Sequence, residues 1–432
     1  MLWAVVLFVL LMVLLLTGAP VGIAMILVAI LGLWALTGSL SGTALLAANS
    51  MFSFTNSHAM VVIIMFVALG ELAAMAGLSN DLFTMMNRVV GRFRGGTALA
   101  TNFAAAGFAA ITGSTTSATM AMCRVALPEL RKFGYRDEIS TGIIAACGTF
   151  AAMIPPSIFL VIYGILTNQS ISRLLLAGIV PGLLMAVFYA LRIYLRRLVS
   201  PELFPAGAKF SAAEQVESIL RAIPSLAIVI IIISGILAGF WTATEAGGVG
   251  VMLVFLLALY RRQVNVSTIF SVARTSLITT ASLFTVIIGS LLLSRFLAFS
   301  GLTESIVGTI VGLELEPWIF FLCLMLAYTI LGMFLEGIGM AALTLPIVLP
   351  IVIANGWDPI WFGIVFTVIA EIALLTPPIG LNLYVIRSVA PDVPIGTIIK
   401  GVLFLLPADF LMLGLLYAFP EIALWLPNYV MG

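Results

Sequence analysis

The sequence predicts an all-α polytopic membrane protein built as two inverted-topology repeats, each with about five membrane crossings and one re-entrant helical hairpin. Three observations predict it. The chain is 62% hydrophobic and 9% charged, with a mean hydropathy of +1.25, and apolar stretches near or above the spanning length of about 20 residues recur along it. Pro128, Gly134, Tyr135, Pro155 and Pro156 are followed, 222 residues later, by Pro350, Gly356, Trp357, Pro377 and Pro378. Four identities and one aromatic exchange in register mark a duplication. Finally, the basic residues gather at a few points, and these clusters draw a topology through the positive-inside rule.

The N-terminal stretch Met1 to Leu16 resembles a signal-peptide core but lacks a basic flank and a cleavage site, so it is read as a retained helix. Arg88, Arg92 and Arg94 precede the apolar stretch Thr97 to Met122, and Arg124, Arg131, Lys132 and Arg136 follow it. Basic groups on both flanks place both ends in the cytoplasm. Residues 97–123 are therefore expected as hairpin 1, with its tip at Gly113-Ser114-Thr115-Thr116-Ser117. Non-helical backbone at this depth is tolerated only inside protein or beside a wet cavity.

The chain then crosses outward through Ile139 to Leu166, broken at 155–156, turns at Asn168-Gln169-Ser170, and returns through Leu174 to Leu195. Arg192, Arg196 and Arg197 mark the cytoplasmic exit and end the first repeat, 1–197. Residues 198–222 form a polar cytoplasmic linker, expected to carry a short amphipathic surface helix. The second repeat, 223–432, crosses out through Ile223 to Gly239 and returns through Ala246 to Tyr260 at Arg261-Arg262. Hairpin 2 is expected over about 302–354, with its tip near Glu336-Gly337-Ile338-Gly339, and a second broken helix at 377–378. Acidic flanks (Glu304, Glu314, Glu316, Asp358) suit the opposite face. Five crossings plus a hairpin is an odd count, which inverts the second copy and puts both termini outside the cytoplasm.

Catalytic arrangements are scarce. There is no H-E-x-x-H, no G-x-S-x-G and no P-loop lysine motif, so neither intramembrane hydrolysis nor ATP-driven pumping has a foothold, and no enzyme is expected. Cys123, Cys147 and Cys323 have no C-x-x-C spacing, and His58 is the single histidine. The discontinuous segments are the candidates. Proline removes a backbone donor and clashes with the carbonyl four residues back, which frees carbonyls around Ala151, Ala152, Ala373 and Leu374. With Ser157, Thr376 and Asn382 beside the breaks and Ser114, Thr115 and Thr116 at the first tip, these form an uncharged oxygen cage suited to sodium. Helix N-termini at the same places suit an anion. Internal repeats broken at matching positions point to a secondary transporter.

Plainer readings exist for each feature. Prolines kink membrane helices, and hydroxyls there often bond their own backbone. Glu71, Glu245, Glu336, Glu371 and Asp409 lie in or beside apolar segments, where ionisable groups are functional candidates by default. Glu245 is equally a helix cap within Thr242-Ala243-Thr244-Glu245, and His58 is read as an interface residue.

The stretch Gly142 to Gly182, with Gly148-Thr149, Ile154-Pro155-Pro156-Ser157, Tyr163-Gly164 and Ala177-Gly178-Ile179-Val180-Pro181-Gly182, resembles the large membrane subunit of tripartite ATP-independent periplasmic (TRAP) transporters. So do Gly113-Ser114, Pro128-Glu129, Gly134-Tyr135, Thr244-Glu245-Ala246 and Thr376-Pro377-Pro378-Ile379-Gly380-Leu381-Asn382-Leu383, and together they cover nearly the whole chain. Phe150-Ala151-Ala152 stands where the family often has a Leu-Gly pair, and Ala243 where a proline is usual.

The resemblance implies an elevator-type, sodium-driven importer of small organic anions (carboxylates, sialic acids or sulfonates) in the bacterial inner membrane. Its implied partners are a separate periplasmic substrate-binding protein and a small four-helix membrane subunit, besides the lipid bilayer, and no nucleic acid. Sodium is the expected coupling ion, with no organic cofactor. Its expected ligands are Ser114, Thr115, Ala151, Pro155, Ser157, Gly337, Thr376, Pro377 and Asn382. The expected substrate residues are Gly113, Thr116, Ser117, Pro156, Glu336, Gly339, Pro378 and Gly380. Two alternatives stay open: a stand-alone sodium/dicarboxylate symporter needing no binding protein, and a non-transporting, structural or channel-like membrane subunit.

Overall fold

The computed structural model describes residues 2–57, 59–207, 209–377 and 380–432. His58 and Pro378 thus lie outside the described residues. The first half runs α1 (Leu2–Leu16), α2 (Val21–Thr37), α3 (Leu40–Thr55), α4 (Ala59–Met75), α5 (Leu78–Val90), α6 (Gly96–Thr112), α7 (Thr115–Lys132), α8 (Asp137–Gly148), α9 (Phe150–Met153), α10 (Ile158–Thr167) and α11 (Ile171–Val199). A 3₁₀ turn at Pro201–Leu203 follows. The second half runs α12 (Ala212–Leu237), α13 (Ala243–Tyr260), α14 (Val266–Phe299), α15 (Leu302–Gly312), α16 (Pro317–Gly332), α17 (Gly337–Ala354), α18 (Pro359–Leu375), α19 (Leu381–Val389), α20 (Ile395–Leu403), α21 (Leu406–Ala418) and α22 (Glu421–Met431). The protein is all-helical among the described residues. Five helices are long and apolar enough to span a membrane, or up to eight if each bent pair is one span, as expected of a multi-pass membrane protein.

Helix bounds recur at the same spacing of 222 residues as the prolines. Val21, Thr115 and Asp137 open helices, and so do Ala243, Gly337 and Pro359. Lys132 and Thr167 close helices, and so do Ala354 and Val389. Gly134 and Gly356, each just beyond such an end, both take left-handed backbone, with φ of 83° and 75°, a conformation that glycine adopts without steric cost. The two halves differ elsewhere. Two helices, α3 and α4, correspond to the first and second parts of the single 34-residue α14. Conversely the unbroken α11 corresponds to α20 and α21, which meet at a 41° bend.

Local chemistry sets most helix starts. Ser114, Ser157 and Ser170 cap α7, α10 and α11 by accepting a bond from the backbone N–H three residues on. Ser211 with Glu214, and Thr242 with Glu245, form reciprocal capping boxes. Glu245 is thus engaged as a cap. Three spans differ from the sequence expectation. Polar residues from 212 onward are the first turns of α12 itself, not a separate surface helix, because the capping box starts one continuous helix. Residues 302–354 hold three helices, and the interruption before α17 lies at 333–336, with Gly337 and Gly339 already in its first turn. The second arm of the first hairpin segment continues to Lys132.

At one end of the molecule Arg131 binds Asp137 at 2.7 Å and Asp392 at 2.6 Å. That hydrogen bond holds the Asp392 carboxyl below its usual range.

Candidate functional site

Three interruptions meet inside this core. Between α6 and α7 the chain turns at Gly113, whose φ is 59°, and Ser114, whose hydroxyl lies 3.2 Å from that of Thr116. Between α9 and α10 the Pro155-Pro156 pair, joined by a cis peptide bond, breaks the third segment. The two are joined directly, since the Ile158 N–H donates to the Gly113 carbonyl at 3.1 Å. A Cβ on Gly113 would collide with the Pro156 carbonyl oxygen, so this approach requires glycine. From the other half, Gly337 opens α17 against the Phe159 ring, which an added Cβ would meet at 2.9 Å.

Between these segments lies a cavity of about 160 Å³. The first turns of four helices line it: Ser114, Thr115 and Thr116 of α7, Ile158 and Phe159 of α10, Glu336, Gly337 and Ile338 of α17, and Leu381 of α19. First-turn N–H groups have no partner within their own helix and carry the positive end of its dipole. An anion is therefore favoured here. The remaining wall holds Thr279 and Leu283 of α14 and Glu371 and Leu374 of α18. Glu371 is 4% exposed; one carboxyl oxygen accepts from the Thr115 hydroxyl at 3.1 Å, and the other has no partner among the described residues. Among the described residues no basic side chain lines the cavity. Hydroxyls, carboxyls and helix N-termini together can hold an anion and a cation side by side.

Of the expected residues, Gly113, Ser114, Thr115, Thr116, Glu336 and Gly337 line this one space. Ser117 is next to it, its N–H pointing to the Ser114 hydroxyl at 3.5 Å. Ser157 is fully buried behind Ile158 and donates to the Ala152 carbonyl at 2.5 Å, so that freed carbonyl is already occupied. Thr376 likewise donates to the Ile372 carbonyl at 2.6 Å. Asn382 is fully buried, donates to the Ala145 carbonyl of α8 at 3.3 Å, and its own carbonyl oxygen has no partner among the described residues.

Ala151 is buried in the short helix before the break, and Pro377 closes the described part of the second break. Gly380 has φ of 56° and caps α19. Pro155 faces an apolar crevice with Leu175 and Ile233 instead of the cavity. Gly339 faces Val21 of α2. Asp409 accepts from the Tyr189 hydroxyl at 2.6 Å, away from the cavity.

Phe159, Thr279 and Leu283 are not among the residues the sequence singles out. Phe159 lies within a few residues of a proline pair, so widening that motif by one helical turn would include it, and Leu381 stands in the second proline motif without a site role assigned to it. Thr279 and Leu283 carry no local signal, since they sit mid-way along an unbroken helix.

Comparisons with known proteins identify the family and the fold. The family model described as the DctM component of tripartite ATP-independent periplasmic transporters matches residues 8–422. The C4-dicarboxylate TRAP transporter large permease protein DctM of Pseudomonas aeruginosa is 32% identical over 384 residues, covering 89% of each chain. The sialic acid TRAP transporter large permease protein SiaM of Vibrio cholerae is 30% identical over 97% of each chain. The ectoine/5-hydroxyectoine large permease protein UehC of Ruegeria pomeroyi is 28% identical over 98% of each. Among solved structures, the Alcanivorax borkumensis YdaH transporter shares the fold, with a TM-score of 0.66 at 14% identity over 89% of this chain and 90% of that one. The chain therefore belongs to the large permease family of tripartite ATP-independent periplasmic transporters, a family of transporter components rather than of enzymes.

Proposed function

We propose that this chain is the translocating subunit of a sodium-coupled uptake system for a small organic anion, working by an elevator mechanism in the bacterial inner membrane. The observation that carries this reading is the cavity walled by the first turns of four helices, two from each half of the chain. An anion sits against the N–H groups of α7, α10, α17 and α19. Sodium neutralises the site from the side of Glu371, which lines the cavity and has one carboxyl oxygen without a partner among the described residues. The names of relatives, which cover C4-dicarboxylates, sialic acid and ectoine, support a small organic acid as cargo.

In the proposed cycle sodium organises the breaks near Pro155 and Pro377 and completes the anion site. The unit carrying both hairpin segments then moves inward against the remaining helices. Coupling requires that sodium bind one conformation more tightly than the other, because equal affinity shifts nothing. A separate periplasmic binding protein delivers the anion, and a small four-helix membrane subunit braces the fixed helices.

The test is uptake into proteoliposomes holding this chain with its small membrane partner. Labelled small organic acids are offered under an inward sodium gradient, with and without periplasmic extract. Uptake is expected to need both sodium and the extract. Uptake without extract assigns a stand-alone symporter, and no uptake under any ion gradient in folded protein removes the transport reading.

A further inference from the structure

A second cavity, of about 450 Å³, opens along two of the helices that wall the central one. Helix α14 passes the central cavity at Thr279 and Leu283 and the second at Leu291 and Arg295. At 1.5 Å of rise per residue, Leu283 and Leu291 are about 12 Å apart. Helix α10 does the same, with Phe159 at the first cavity and Gly164 to Asn168 at the second. The two spaces are thus stacked along the direction of transport.

Charge places the second cavity on the outer face. Helix α14 starts just after Arg261-Arg262, which mark the cytoplasmic side, and Arg295 lies near its far end, Phe299. The chemistry of this cavity is the reverse of the central one. No carboxylate among the described residues lines it, and the charged one that does is Arg295. Among the described residues that guanidinium makes no ion pair. Ser57 of the same wall has a shielded hydroxyl oxygen with no hydrogen-bond partner among the described residues. A guanidinium without a counter-charge on a membrane helix is costly to keep, and its planar fork matches a carboxylate.

We propose that this cavity is an outer reception site, where Arg295 and Ser57 hold the carboxylate of the incoming anion before it descends to the central cavity. The proposal rests on the uptake reading above. It explains how an anion is drawn toward a central cavity lined by Glu336 and Glu371: a fixed positive charge stands at the mouth, about 18 Å along α14 from Leu283 of the central wall.

The test reads local electrostatics rather than transport. Exposed Cys323 is replaced by serine, while Cys123 and Cys147 are buried. Ser53, exposed on the cavity wall, becomes the reporter as Ser53→Cys. In nanodiscs containing the chain with its small partner, labelling rates are compared for an anionic sulfonatoethyl and a cationic trimethylammonioethyl methanethiosulfonate. The anionic reagent is expected to be favoured, and Arg295→Gln to lower the anionic-to-cationic ratio about tenfold. Arg295→Lys should keep most of the ratio. A mixture of acetate, succinate and gluconate should slow labelling, and Ser57→Ala should weaken that protection without changing the ratio.

An unchanged ratio in the Gln variant overturns the proposal. So does protection by the periplasmic binding protein with none by the carboxylates, which would make Arg295 a protein-docking contact. If Arg295→Gln does not elute as a monodisperse species, the Lys and Ser57→Ala variants decide alone. Because labelling needs no turnover, an Arg295-dependent ratio in a chain that fails to transport removes the uptake reading and leaves the anion site standing.

Discussion

Gly113 carries more of the site than any hydroxyl beside it. Its carbonyl receives the Ile158 N–H, its φ is 59°, and a methyl group there would strike the Pro156 carbonyl. Gly113→Ala combines backbone strain with a collision against rigid main chain, a cost of about 1–3 kcal/mol for the strain alone. Uptake is expected to fall at least tenfold, with a lower thermal unfolding midpoint. Gly308→Ala is the control: that glycine is helical and its Cβ would meet nothing within 4 Å, so it should be neutral or slightly stabilising. Uptake within twofold of wild type in Gly113→Ala would show that the tip does not depend on this approach. Thr115 matters differently, as the donor that ties the tip to Glu371 at 3.1 Å.

At the scale of elements, close backbone contact substitutes for side-chain packing where helices of the two halves cross. Helices α8 and α20 meet at Gly142 and Gly401; a Cβ on either would collide with backbone of the other helix, in the second case with the Glu138 carbonyl. Small residues at such crossings are the means by which membrane helices approach without a hydrophobic driving force between them. Gly401→Val should force the pair apart and destabilise the protein by about 1–3 kcal/mol, read as a lower midpoint in detergent. Gly396→Val, on the same helix but facing open space, should leave the midpoint nearly unchanged. Equal effects of the two substitutions would contradict a packing role for this crossing.

Across the whole molecule the halves are interlocked rather than set side by side. Tyr163 of the first half donates to the Pro359 carbonyl of the second at 2.7 Å, Tyr189 to Asp409 at 2.6 Å, and Asn382 of the second to Ala145 of the first at 3.3 Å. Such interlocking suits inverted copies, which present opposite ends to one another at the membrane midplane. The inverted arrangement expected from the sequence makes a direct prediction for the termini. Alkaline phosphatase fused after Gly432 should be active and a fluorescent protein at the same place dark, whereas a fluorescent protein inserted near residue 207 should glow. A bright C-terminal fusion would mean an even number of crossings in the second half and would remove the inverted arrangement.

Much was legible before any fold was known, because some signals are local and others are compositional. Apolar content established a helical membrane protein, since only internally bonded helices satisfy the backbone of so apolar a chain. The spacing of Pro128, Gly134, Pro155 and Pro156 from their counterparts marked both interruption points, because proline and left-handed glycine act on their own few residues. Motifs around those points named the family. Local chemistry did not show that the linker beyond 211 is continuous with α12, since a capping box reads the same before a short helix or a long one. Which marked residues share a space was decided by tertiary structure alone. Thr115 and Glu371 touch across 256 residues of chain, Thr279 joins them from an unbroken helix, and Pro155 turns away into an apolar crevice. Hydrophobicity and helix breaks are written residue by residue, whereas a cavity exists only where distant helix ends are packed into the same few ångströms.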